Sequence, residues 1–188
     1  VIRSHGVARA VTDTLEARHI KICDATCPFV AKIHRIAKTA GEEGKTLLIA
    51  GDAQHPEVQG IVGHATGPVI VFQDLEELSD KLTGVLPQTP LVLVAQTTYQ
   101  VTKWLECATL LKKVYTNCKQ FDTICSATWA KQQETEALAR RSDLVIVVGG
   151  KGSSNTKKLL CVAATYTKAV QVEAAGELSG DLLLAARV

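Results

Sequence analysis

Short runs of aliphatic residues recur along the chain with amphipathic segments between them: Thr46 to Ala50, Val69 to Phe72, Leu91 to Ala95 and Leu144 to Val148. A strand that is apolar at nearly every position has no face for water, so such runs belong to a sheet covered on both sides. Strands that alternate with helices are joined in parallel. The chain therefore reads as α/β. Val1 to Arg3, Ile20 to Cys23 and Ala169 to Val172 complete the strand expectations. One helix is expected from Pro28, with Phe29, Ile33, Ala37 and Ala40 at helical spacing and Gly41 and Gly44 ending it. A second carries Val101, Leu105, Ala108 and Leu111, and a third runs from about Trp129 to Arg140.

With 188 residues, 46% of them hydrophobic, the chain has enough apolar surface for a real core. The 21 basic and 19 acidic residues give a net charge of +2 without long runs, so neither a nucleic-acid nor a membrane footprint is present and any anionic ligand needs a local site. No stretch reads as a membrane span or a signal peptide, which points to the cytoplasm. The chain opens on Val1 and closes on Arg187-Val188 after an apolar stretch that reads as a strand cut at its start. It is expected to be a fragment, truncated at both ends.

Three expected strands end in polar, glycine-containing loops that feed helices: Ser4-His5-Gly6, Gly51 to Glu57, and Gly149 to Asn155. Open α/β sheets bind ligands at such positions. Helix N-termini present free N–H groups to anions, and Ser153, Ser154 and Asn155 add side-chain donors, although the same Ser-Ser-Asn also reads as a plain helix cap. His55-Pro56-Glu57 pairs a phosphate donor with a carboxyl group. It equally describes a turn with an exposed histidine and a first-turn glutamate. Gln96-Thr97-Thr98 supplies hydroxyls for a substrate or a proton relay, or simply caps the Val101 helix. Convergence of the His5, His55 and Ser153 loops on one anion is what favours the functional reading.

The six cysteines, with no secretory context, favour buried thiols or metal ligands over disulfides. Asp24-Ala25-Thr26-Cys27 and Asp122-Thr123-Ile124-Cys125 repeat one pattern, each ahead of a helix. A thiol at a helix N-terminus makes a good soft-metal ligand. Cys23 in a strand, Cys107 and Cys161 in helices and Cys118 in a loop read as packing thiols. Spacing alone leaves the metal unassigned, because neither a C-x₂-C pair nor an H-x₃-H partner is present.

Taken in order, Arg3-Ser4-His5-Gly6-Val7, Asp24-Ala25-Thr26-Cys27-Pro28, His55-Pro56-Glu57-Val58-x-Gly60, Gln96-Thr97-Thr98, Asp122-Thr123-Ile124-Cys125-x-Ala127-Thr128 and Gly149-Gly150-Lys151-x-Ser153-Ser154-Asn155-Thr156 resemble the IspH (LytB) family of 4-hydroxy-3-methylbut-2-enyl diphosphate reductases over essentially the whole chain. The resemblance implies repeated small αβ domains with largely parallel sheets, arranged like a trefoil around a central cavity. Residues 1–27 would be the remnant of the first domain, 28–121 the second, and 122–188 an incomplete third. It also implies a four-iron four-sulfur cluster with Cys27 and Cys125 as two ligands, the third lying ahead of Val1, and one iron left open to the substrate hydroxyl.

By the same resemblance, Glu57 is the proton source, linked through Thr97 to that hydroxyl, while His5, His55, Ser153, Ser154 and Asn155 hold the diphosphate. Electrons would come from a ferredoxin or flavodoxin type donor, water would leave, and isopentenyl and dimethylallyl diphosphate would form in the non-mevalonate pathway, in a bacterial cytoplasm or a plastid stroma. The fragment itself is expected to be inactive. Gly152 stands where the family more often has Asn. Trp129-Ala130-Lys131-Gln132 stands where a polar pair and Arg-Gln are expected, so a planar bidentate contact is lost at Lys131. The rival reading is a non-redox α/β module that binds a diphosphate and keeps its cysteines as structural thiols; a third is one part of a longer fusion.

Overall fold

The apolar runs form strands where the pattern predicts them. In the computed structural model, which describes residues 1–180, β1 (Thr46–Ala50), β2 (Val69–Phe72), β3 (Leu91–Ala95) and β4 (Cys118–Gln120) make a parallel sheet in the order β2-β1-β3-β4. Side chains alternate across it. Leu47 and Ile49 pair in register with Val92 and Val94, and these four pack with Ile33, Ala37, Ala40, Val58 and Ile61 of the helices α2 (Pro28–Glu42) and α3 (Pro56–Val62). Leu48 and Leu93 point the other way and are fully buried. That face lies toward α4 (Leu75–Lys81) and α5 (Val101–Val114), which contact β2 and β4.

These elements, together with α1 (Arg9–Ala17), form one compact unit, Val1–Ile124. A second unit begins at Cys125. In it β5 (Leu144–Val148) and β6 (Lys168–Val172) pair in parallel on either side of α7 (Ser154–Ala164), with α6 (Ser126–Ala139) against α7. Its core is Ala139, Val145, Val147 and Ala163, joined by Leu159, Leu160 and Ala169.

Several expectations need correction. Val1 to Arg3 and Ile20 to Cys23 are not strands: a single parallel bridge joins Ile2 to Asp24. Ile20 and Cys23 are exposed and, of the two segments, only Ile2 is buried, and an isolated two-stranded pairing with so little buried surface does not propagate. Cys118, expected in a loop, opens the edge strand β4, and Cys23 and Cys161, expected to be packing thiols, are exposed. Cys107 is fully buried, and burial pushes both its thiol and that of Cys118 up to about 11.

On α5 the buried stripe is Val101, Trp104, Cys107 and Leu111, while Leu105 is exposed, since the Trp104 ring claims the inner face. On α2, Val30 and His34 lie inward and Phe29 outward. Gly41 lies inside α2, pressed against Gly67, and the chain turns only at Gly44, whose φ of +68° needs glycine. The expected strand start near Arg187-Val188 lies outside the described residues.

Candidate active site

Two parallel neighbours, β1 and β3, end side by side with Ala50 opposite Ala95, so the loops that follow them meet. After β1 the backbone turns through Gly51, where a Cβ would sit 2.8 Å from Val58 and 3.1 Å from Gln96. Only glycine lets the three segments approach so closely. The Gln96 side chain then braces the turn, accepting from Asp52 N–H at 3.2 Å and donating to Thr98 Oγ1 at 3.0 Å. At the end of β3, Thr123 closes the sheet: its hydroxyl donates to the Ala95 carbonyl at 2.6 Å and accepts from Ala95 N–H at 2.8 Å.

The turn delivers His55 as the N-cap of α3 and Pro56 as its first residue. Pro56 has no N–H to leave unpaired, and Glu57 enters the first turn, where the helix dipole favours an acid. Glu57 is 2% exposed. One carboxyl oxygen accepts from Thr97 N–H at 2.6 Å and the other from the Thr97 hydroxyl at 2.7 Å. The Thr97 hydroxyl therefore serves Glu57. It is not a cap for α5, whose N-cap is Gln100.

His55 Nδ1 accepts from Glu57 N–H at 3.2 Å, which leaves the proton of a neutral ring on Nε2 as a donor. Burial holds this imidazole below its ordinary pKa, with the His5 and Arg3 charges acting the same way and Glu57 and Asp52 opposing. The His5 ring meets the His55 ring edge-on with centroids 5.3 Å apart, and its buried Nδ1 has no partner. An acceptor-binding imidazole pair thus stands beside a buried carboxyl–hydroxyl pair. Together they offer donors for an anion and a carboxyl group for moving a proton.

The two Asp-x-x-Cys elements fold alike. Asp24 Oδ1 accepts from Thr26 N–H at 2.9 Å, and Asp122 Oδ1 from Ile124 N–H at 3.1 Å. Each turn hands a half-buried cysteine to the N-cap of the next helix, Cys27 to α2 and Cys125 to α6. Cys27 N–H also donates to the Ser4 carbonyl at 3.0 Å, tying this thiol to the segment that carries His5. Among the described residues no group of three or more His, Cys, Asp or Glu forms a metal cluster. The fit to iron therefore rests on the donor chemistry of each helix start: Cys27 and Cys125 are both N-cap thiols, the soft donor type that iron-sulfur clusters take.

In the second unit Ser153 caps α7, accepting from Thr156 N–H at 3.3 Å, so the capping reading holds for that hydroxyl. Asn155 Oδ1 is buried without a partner. The Lys151 backbone N–H donates to Glu173 at 2.6 Å, and the Lys151 ammonium pairs with Glu177 at 2.9 Å, which holds the loop in place.

The family model of LytB protein matches residues 1–188. The chain belongs to the LytB family. This LytB chain is 40% identical over 168 residues to the 4-hydroxy-3-methylbut-2-enyl diphosphate reductase of Helicobacter pylori (strain P12), covering 89% of the chain and 60% of the relative. To the enzyme of the same name from Campylobacter curvus (strain 525.92) it is 39% identical, over 88% of the chain and 59% of the relative. It therefore spans about 60% of the length of these curated relatives.

Its α/β fold matches the E-1-hydroxy-2-methyl-but-2-enyl-4-diphosphate reductase structure from Plasmodium falciparum, with a TM-score of 0.89 at 26% identity over 97% of this chain and 58% of that one. A structure of (E)-4-hydroxy-3-methyl-but-2-enyl diphosphate reductase, described as the terminal enzyme of the non-mevalonate pathway, matches with a TM-score of 0.62 at 30% identity, over 98% and 66%.

Sequence reasoning missed His34 and His64, whose rings stack with centroids 3.9 Å apart. The signal available for His34 was its place on the inward stripe of α2 with Ile33 and Ala37. His64 carried none. Thr123 was also missed as a brace for β3, although it lies within a motif that was recognised.

Proposed function

We propose that this chain is part of an enzyme that reduces 4-hydroxy-3-methylbut-2-enyl diphosphate to isopentenyl and dimethylallyl diphosphate in the non-mevalonate pathway. The observation that carries the reading is the buried Glu57–Thr97 pair beside the His5–His55 imidazoles, within a chain of the LytB family. Names of similar proteins supply the substrate and the reaction; the geometry supports the assignment of roles. Glu57 delivers a proton and Thr97, bonded to it, passes that proton to the substrate hydroxyl so that it departs as water. His55, through Nε2–H, and His5 bind diphosphate oxygens. By the family resemblance, Ser153, Ser154 and Asn155 would be further diphosphate donors.

Cys27 and Cys125 are two of the thiolates that would hold a four-iron four-sulfur cluster. When bound, that cluster supplies electrons one at a time and a Lewis-acidic iron. A ferredoxin or flavodoxin type protein is the electron source in this reading, and bacterial cytoplasm or plastid stroma the compartment. No helix among the described residues is long and apolar enough to cross a membrane. The division into domains at residues 1–27, 28–121 and 122–188 belongs to the same proposal.

The test is made in the full-length protein. After anaerobic reconstitution with iron and sulfide, Glu57→Gln should keep the brown cluster absorbance and lose turnover; an active variant refutes the role of Glu57. Cys27→Ser and Cys125→Ser should each lose iron. A colourless wild-type protein that still binds diphosphate would favour the non-redox module.

A further inference from the structure

His34 is 8% exposed, and its Nε2 is buried without a hydrogen-bond partner. A polar ring nitrogen in that position is unfavourable, so the ring needs a reason to be there. Its surroundings supply one. A Cβ on Gly6, the residue after His5, would lie 2.6 Å from His34 Cε1. On Gly60, one turn beyond Glu57 in α3, a Cβ would lie 3.3 Å from His34 Nε2 and 3.6 Å from the His5 carbonyl oxygen. The imidazole is thus wedged where the His5 turn and α3 come together, and both glycines leave room for it.

Its other face stacks on His64, whose Nδ1 lies 2.9 Å from the Gly60 carbonyl. A carbonyl only accepts, so His64 donates there and is itself fixed to α3. Burial, with His64 second and Asp24 opposing, pushes His34 down to about 4, so the wedge is a neutral ring at neutral pH.

We propose that His34 is a positioning residue: its ring sets the spacing between the His5 turn and α3, and so the His5–His55 pair that grips the diphosphate. This rests on the functional reading above. Glu57 is anchored independently, by two bonds to Thr97. His5 Nδ1 has no partner of its own. Loss of the wedge should therefore release His5 while leaving the proton donor in place.

The experiment uses full-length protein carrying His34→Ala, His34→Asn or His34→Gln. Inorganic pyrophosphate binding is measured by calorimetry, and steady-state kinetics are run with the allylic diphosphate. His34→Ala should weaken pyrophosphate binding and raise KM by about tenfold, with kcat within about threefold of wild type, since ground-state grip is lost and the reacting groups are not. The longer Gln, whose flat amide reaches the same gap, should recover most of the affinity, and the shorter Asn should not. If His34→Ala does not fold, the Asn and Gln pair alone decides. Equal affinities for that pair, wild-type affinity in a folded His34→Ala, or a fall in kcat at unchanged KM would each overturn the assignment. A wild-type protein that ignores pyrophosphate overturns the diphosphate reading and this assignment with it.

Discussion

Replacing Thr97 with Val removes one hydroxyl and keeps the shape of the side chain, which isolates its bond to Glu57. In the native site one Glu57 oxygen accepts from the Thr97 hydroxyl at 2.7 Å and the other from Thr97 N–H at 2.6 Å, with Glu57 2% exposed. The variant keeps the second bond and turns a methyl group toward the first oxygen. A buried oxygen deprived of its donor costs about 1–3 kcal/mol, and little exposed surface is available for water to replace the hydroxyl. Thr97→Ser is the control: it keeps the donor and loses one methyl group, about 0.8 kcal/mol. Urea unfolding of the full-length protein reads both, as a lower midpoint at unchanged slope for Val and a smaller shift for Ser. On the proposed role, turnover falls with Val and survives with Ser. A Val variant within about 0.5 kcal/mol of wild type, or a Ser variant as damaged as Val, would refute the argument that this hydroxyl is committed to Glu57.

His34 titrates near 4 in the folded protein and near 6.5 when unfolded, so the unfolded chain takes up the proton first; stability should fall as pH drops from 6.5 toward 4 and be flat above. Urea midpoints across that window should slope less in His34→Gln, and equal slopes would remove His34 as the cause. Gly6 and Gly44 both have φ +68°, but only at Gly6 would a Cβ strike a neighbour, so each Ala variant should lose roughly 1–2 kcal/mol from the backbone and Gly6→Ala distinctly more. Equal melting temperatures for the two would show that the approach to His34 is not felt. Asp122→Ala deletes one side-chain bond to the turn before a cysteine, and Asp24→Ala two, from Thr26 N–H and the Thr26 hydroxyl, each worth about 1 kcal/mol. Both should lower iron content after reconstitution, and full loading would separate the turns from the aim of the thiols.

The strands of β1 and β3 could be read from sequence because a parallel sheet covered on both faces leaves no polar position to confuse the pattern. The same rule explains the failures. Cys118-Lys119-Gln120 joins at the sheet edge, where one neighbour suffices and no apolar run is required, so β4 gave no signal. Val1 to Arg3 and Ile20 to Cys23 have the composition of strands, but the sole ladder contact there is one bridge from Ile2 to Asp24. Cys27 and Cys125 were placed correctly at helix starts, since local chemistry decides a cap: an Asp turn, and Pro28 in the case of Cys27.

Glu57 and Thr97 were different, being 40 residues apart in sequence. Each segment could be singled out by itself, but no local pattern pairs the two residues, and only the family resemblance linked them. What joins them is register. Ala50 stands opposite Ala95, so the residue after each strand emerges at the same height and the two loops meet. A slip of one residue between β1 and β3 would carry Thr97 about 3.3 Å along the strand and turn alternate side chains to the opposite face. It would also expose Leu47 and Ile49 to the wrong helices. The packing of Leu47, Ile49, Val92 and Val94 against α2 and α3 is therefore also what fixes the carboxyl–hydroxyl pair, and a core substitution that tolerated slippage would damage the site before it unfolded the sheet.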